Sequence, residues 1–210
     1  MAEVQSGKTR YQDQIEVYTG LEHDGFSLID NRSDFDYIIG SCHYLQGENG
    51  DFYAVDKEKN EQLDTIIKYY EGDSVRYARH YFETYVQCMQ RIRPDILGHL
   101  DLLVLFNNID EEKPEYKSAA IEAMIASLEV TPIFELNTRA FIKRKKNTPY
   151  PGFELLKEAL VHHGKVVLSG DSYQTGELMF RFDDAIQILK NLGYRDVMVF
   201  QNGQFQEVGI

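Results

Sequence analysis

Short apolar runs alternate with longer stretches of helical periodicity along the whole chain. Residues 15–19 and 36–41 are rich in β-branched and aromatic side chains. They end at Gly20-Leu21-Glu22 and at Cys42-His43, which predicts two strands. Leu63, Ile66, Ile67 and Tyr70 recur at spacings of three and four, as do Val75, Ala78, Phe82, Tyr85, Val86, Met89 and Ile92. Each set marks one face of a helix. Ser74 is placed to cap the second helix, and Pro94 closes it. Residues 95–97 read as a strand end leading into Gly98-His99-Leu100-Asp101. Helices over 114–128, 153–163 and 177–192 then alternate with strands over 133–137 and 165–169, and Gly193 stops the last helix. Two apolar runs, 197–200 and 205–208, flank Asn202-Gly203, a strong hairpin signal.

Strand-helix alternation predicts a parallel sheet covered by helices, an α/β fold. No repeat or linker divides the sequence, so residues 1–210 read as a single domain, with a polar, disordered stretch at 1–10. In such folds functional side chains collect at the carboxyl ends of strands. Glu22, His43, His99, Asn137 and Asp171 all fall at or just past a predicted strand end. Two imidazoles and two carboxylates on one rim can hold a divalent metal. The same histidines could instead be satisfied inside the core, and spacing alone leaves both readings open.

Composition narrows the partners. Lys plus Arg number 22 against 34 Asp plus Glu, a net charge of −12. That sign repels phosphate backbones and argues against a nucleic-acid partner. A small phosphorylated substrate stays compatible, because a bound metal inverts the local field. Two cysteines, Cys42 and Cys88, suit a reducing compartment. No apolar run is long enough to span a bilayer, and the first residues lack a signal peptide. These features predict a cytoplasmic chain with no membrane partner.

Other candidates have plainer readings. His162-His163 sit at a helix end, His23 points away from Glu22 if the strand continues, and His80 is placed on a helix surface. Tyr69, Tyr70, Tyr77, Tyr81 and Tyr85 read as core packing. The basic run at 143–146 reads as a solvated loop that raises positive potential beside Arg139. Cys42 faces away from His43 on an extended strand, which argues against a thiol-imidazole pair.

Five segments carry a resemblance when taken in order: Gly20-Leu21-Glu22, the stretch from Ile39 to Leu45, Arg93-Pro94-Asp95-Ile96-Leu97-Gly98-His99-Leu100-Asp101, Glu135-Leu136-Asn137-Thr138-Arg139, and Ser169-Gly170-Asp171-Ser172. Together they resemble the histidinol-phosphatases of the PHP (polymerase and histidinol phosphatase) superfamily. The resemblance implies a distorted (β/α)7 TIM-like barrel with a metal cluster at its carboxyl rim. It implies hydrolysis of L-histidinol phosphate to L-histidinol and phosphate in histidine biosynthesis. By position, Glu22, His43, His99 and Asp171 match metal ligands, and Glu22 and Asp171 match groups of the catalytic centre. Arg139 matches a residue that holds the substrate phosphate, with Asn137 beside it.

The chain departs from the family in two places. The family opens with a His-x-His strand that residues 1–210 do not contain, and its last motif, Asp-x-His, reads Asp171-Ser172-Tyr173 here. A phenol with a pKa near 10 is a poor substitute for imidazole. The expectation is therefore an incomplete barrel lacking its first strands. It holds one well-bound ion (Zn, Mn or Fe) rather than three, and self-association into a homo-oligomer covers its open edge. The ligand losses also raise the alternative of a catalytically inactive PHP-fold binding or interaction protein. A nuclease or polymerase-associated phosphoesterase of the same superfamily is disfavoured by the acidic charge.

Overall fold

The computed structural model describes residues 2–144 and 147–210. The polar N-terminal stretch, expected to be disordered, forms helix α1, Ala2–Tyr11. Lys8 ties it down through a 2.7 Å ion pair with Asp36. Strand β1 spans Gly20–Asp24, so the strand predicted at 15–19 lies further along the chain. The reason is local. The Tyr37 ring lies over Gly20, where any Cβ would come within 2.5 Å of it, and pairing with the next strand begins at that point.

Strand β2, Tyr37–Ser41, is followed by a small antiparallel hairpin, β3 (Tyr44–Gln46) and β4 (Phe52–Ala54), which the sequence pattern did not reveal. Helices α2 (Lys59–Tyr70) and α3 (Ser74–Ile92) come next. The α3 cap is Asp73 rather than Ser74: its carboxylate accepts from the N–H groups of Val75 and Arg76 at 2.9 and 3.1 Å. A carboxylate there also suits the positive end of the helix dipole. Strand β5 is only Ile96–Leu97, and helix α4 is Pro114–Leu128, its proline in the first turn. Strand β6 (Ile133–Asn137) leads into the short helix α5 (Arg139–Lys143) and then α6 (Phe153–Val161). Strand β7 is Lys165–Ser169. Helix α7 is Phe182–Leu192, later than predicted because residues 175–177 close a separate 3-10 turn. Strands β8 (Asp196–Gln201) and β9 (Gln204–Gly209) form the expected hairpin. Asn202 and Gly203 both have positive φ, 52° and 74°, as a type I′ turn requires.

Seven strands form one sheet in the order β1-β2-β5-β6-β7-β8-β9, parallel except for β9. This is the predicted α/β class with a mostly parallel sheet, consistent with a TIM-like fold. The sheet curls until its two ends approach. The ring of Phe200 in β8 packs at 4.8 Å from Tyr18, before β1, and at 5.1 Å from Tyr37 in β2. The Gly203 N–H reaches the Tyr18 hydroxyl at 3.4 Å. β1 and β9 are not joined by a backbone ladder.

Helix α3 packs against β2 and against α4. Tyr77, Tyr81 and Tyr85 on its inner face are buried to 1% exposure or less and Tyr70 is buried, so these four of the tyrosine stripe are core, while Tyr69 is half-buried at its edge. Burying each such ring removes enough apolar surface to stabilise the fold by roughly 1.5–3 kcal/mol. Their hydroxyls also have work: Tyr85 donates to the Gly98 carbonyl at 2.6 Å. None of the described helices is long and apolar enough to cross a membrane.

Candidate metal centre

The parallel strands end on one rim, and the side chains predicted to matter lie there. Glu22 projects from β1, His43 lies two residues past the end of β2, and His99 two residues past the end of β5. Glu22 Oε1 stands 2.9 Å from His99 Nε2 and 3.3 Å from His43 Nε2. One ligand atom from each of the three residues falls within 4.8 Å of the others. Ligand atoms about 2.0–2.2 Å from a common metal lie at such separations.

Each imidazole is held in place. Asp24, two residues after Glu22 on the same face of β1, accepts from the His43 N–H at 2.8 Å and lies 3.2 Å from His43 Nδ1. A carboxylate behind an imidazole fixes the tautomer that turns Nε2 outward to a metal. His99 is set from the backbone. Gly98 N–H donates to the Gly40 carbonyl at 2.8 Å, and the His99 N–H donates to Glu135 at 2.7 Å. A Cβ on Gly98 would sit 2.8 Å from the Gly40 oxygen, so only glycine allows β2 and β5 to approach this closely.

The electrostatics follow from these contacts. Hydrogen bonds from His43 and His99 hold the Glu22 carboxyl well below the usual carboxylate range. For His43, burial opposes the charged ring, but Asp24 and Glu22 outweigh it and push the imidazole up to about 10. His99 is raised in the same way, with Glu22 and Glu135 overcoming a burial effect of opposite sign. A half-exposed anionic Glu22 between the Nε2 atoms of His43 and His99 forms a donor set that fits a divalent ion.

The cluster lines a cleft of about 370 Å³, together with Asp56, Leu102, Leu105, Arg139, Lys143, Tyr150, Asp171 and Tyr173. Asp171 therefore faces the same space without joining the close triad. Its backbone is left-handed, with φ 42°, and burial followed by the nearby Glu135 charge raises its carboxyl. Arg139 reaches in from the start of α5. One of its guanidinium nitrogens donates to the Asp171 carbonyl at 2.9 Å and to Glu177 at 2.7 Å. Asn137 is buried behind the wall. Its side chain accepts from the Arg139 N–H at 2.9 Å and donates to Glu135 at 3.2 Å. Tyr173 is 77% exposed and carries the Arg139 guanidinium over its ring at 4.8 Å.

Asp24, Glu135 and Asp56 escaped the sequence reading. For the first two the signal was there: each is two residues from a residue already singled out, Glu22 and Asn137, and so on the same strand face. His23, on the other face of β1, is buried against the Ser27 carbonyl at 3.2 Å. In the basic run, Arg144 is buried and paired with Glu111 rather than solvated, because α5 turns it inward. Lys145 and Lys146 lie outside the described residues.

Fold and rim together define an α/β protein with a candidate two-histidine, one-carboxylate metal site at the strand ends. No protein-family profile matches the chain. Three sequence relatives carry histidinol-phosphatase names. It is 28% identical over 207 residues to a protein named "Probable histidinol-phosphatase" from Deinococcus radiodurans, covering 94% of this chain and 73% of that one. It is 25% identical over 209 residues to one of the same name from Schizosaccharomyces pombe, covering 93% and 66%. It is 23% identical over 222 residues to the "Histidinol-phosphatase" of Saccharomyces cerevisiae, covering 87% and 64%. A solved structure of a provisionally named histidinol phosphatase from Listeria monocytogenes superposes with a TM-score of 0.72 at 19% identity, over 87% of this chain and 73% of that one. That likeness establishes the fold. The resemblance to the histidinol-phosphatase family read from the motifs is borne out, and the chain spans from 64% to 73% of these sequence relatives' lengths.

Proposed function

We propose that the chain is a metal-dependent phosphomonoesterase that hydrolyses L-histidinol phosphate to L-histidinol and phosphate, on a distorted barrel of the PHP type. The observation that carries the reading is the convergence of Glu22, His43 and His99 in one cleft with Arg139 and Lys143. A divalent ion (Zn, Mn or Fe) held by the triad would lower the pKa of water near 7 and offset charge on the phosphoryl oxygens. One well-bound ion is the stoichiometry this ligand set supports.

The chain's own groups have separate tasks. Arg139 binds and orients the phosphate, since its planar fork matches two phosphoryl oxygens; its hydrogen bonds to Glu177 and the Asp171 carbonyl share one terminal nitrogen, and its Nε stands 4.0 Å from the Asp171 carboxylate. Asn137 positions Arg139 by accepting its backbone N–H. Asp171, which faces the same cleft and whose carboxyl burial and the Glu135 charge push upward, is placed to act as the acid on the departing alkoxide oxygen. Leu102 and Leu105 exclude water from one wall of the cleft.

Phosphate release from L-histidinol phosphate, measured with the chelated chain and after adding each metal, tests the proposal. Metal-restored turnover that Glu22→Gln abolishes is the expected result. Tyr173 favours a second reading, since it stands where the family has a ligand and instead lies exposed under Arg139. A chain that binds the ester and the metal but releases no phosphate would favour that inactive binding role.

A further inference from the structure

We propose that Asp56 is the specificity residue that binds the substrate's ammonium group, so that the cleft selects phosphomonoesters carrying a primary amine beside the ester carbon. This rests on the phosphatase reading of the same cleft, and it concerns a residue to which that reading gives no task.

The position of Asp56 is built by the β3–β4 hairpin. After β4 the chain returns to the rim, where the Val55 N–H donates to the His43 carbonyl at 2.9 Å. The Val55 carbonyl accepts from Gln62 at 3.0 Å, and the Val55 side chain is fully buried. Asp56 follows directly, with its backbone tethered beside a candidate ligand. Its half-buried side chain lines the cleft. The structure gives its carboxylate no hydrogen bond or ion pair among the described residues, unlike Asp24, Glu22 and Glu135 around it. Its charge is nonetheless felt at His43, Tyr150 and Tyr173, on several walls of the cleft.

The cleft is thus polarised. Its cations, Arg139 and Lys143, enter from the end of β6, and Asp56 enters from beside β2. β5 lies between those strands, which puts the two entry points roughly 10 Å apart. A 2-aminoalkyl phosphate has its two charges on a short spacer and can meet both poles at once. A phosphate ester without the ammonium meets an unpaired carboxylate instead and is disfavoured by like charge.

The test compares L-histidinol phosphate with 3-(imidazol-4-yl)propyl phosphate, its analogue without the amine. Binding of each to the metal-loaded chain is measured by calorimetry, with phosphate release and bound metal measured alongside. The wild type should prefer the amine by about tenfold to a hundredfold, as a charge-assisted hydrogen bond implies. Asp56→Asn should erase that preference by weakening the amine ester while the analogue binds as well as before or better, and should leave bound metal unchanged, while Asp56→Glu keeps part of the preference. Equal weakening of both ligands, loss of metal in Asp56→Asn, or no preference in the wild type would overturn the assignment. Because binding is read without turnover, absent phosphate release would sink the phosphatase reading alone. A wild type that binds neither ester would sink both.

Discussion

Metal loading should compete with protons at His43, and the size of that competition can be worked from its contacts. Coordination needs the neutral ring, yet Asp24 and Glu22 hold the metal-free imidazole at about 10. At pH 7 that is about three units below the pKa, so roughly one ring in a thousand is neutral, and freeing the site requires about 4 kcal/mol at 1.36 kcal/mol per unit. Between pH 6.5 and 8 the apparent zinc affinity should rise about tenfold per pH unit, and more steeply where His99 also carries a proton. Calorimetric titrations in buffers of different ionisation enthalpy would report at least one proton released per ion bound. Asp24→Asn should flatten that slope, since it removes part of what keeps His43 charged. It should also weaken binding at the highest pH by about 10- to 100-fold through loss of the ring's support. Affinity that is level across this range, with no proton release, would refute the account of a proton-occupied triad.

Stability in the metal-free chain should follow the same ring. Its folded pKa lies above the unfolded value, so the contribution of His43 is full below about pH 6.5 and is lost as pH rises toward 10, which thermal melts in chelator would record. Asp101 has the opposite sense: burial raises it to about 7, so the folded state is penalised as pH climbs from about 4 to 7. Asp101→Asn can still accept from the Gly152 N–H and should raise stability at pH 8 by about 1–4 kcal/mol in urea titrations. Gly98→Ala pushes a methyl against the Gly40 carbonyl and should cost about 1–3 kcal/mol, with zinc affinity falling because His99 moves. Tyr85→Phe strands the buried Gly98 carbonyl and should lose about 1–3 kcal/mol in the same assay. Arg139→Lys should raise KM for the phosphate ester about tenfold while leaving bound metal unchanged.

Most helices and strands were legible because each buries one periodic face. Residues 114–128 and 133–137 are bounded in the structure as the pattern predicts. The shift at β1 was not legible, since it depends on the Tyr37 ring covering Gly20, a contact between strands. The β3–β4 hairpin was missed because strands of three residues are too short to show alternation. At the rim, Glu22, His43 and His99 were found through their place after strands and through the family motifs. Asp24 and Glu135 were visible in principle as same-face neighbours. Asp56 was not, because only a backbone bond to His43, closed across the hairpin, returns it to the cleft.

The two ends of the curled sheet meet through rings, Tyr18 and Tyr37 against Phe200, with no ladder between the outermost strands. Parting that seam breaks ring contacts and the long hydrogen bonds from the Asn202 and Gly203 N–H groups to Glu16 and Tyr18, but no backbone ladder, so it is where the wall opens at least expense. Amides flanking it should trade protons with solvent well before those of β6 and β7. The molecule therefore carries a built-in line of opening on the side away from Arg139.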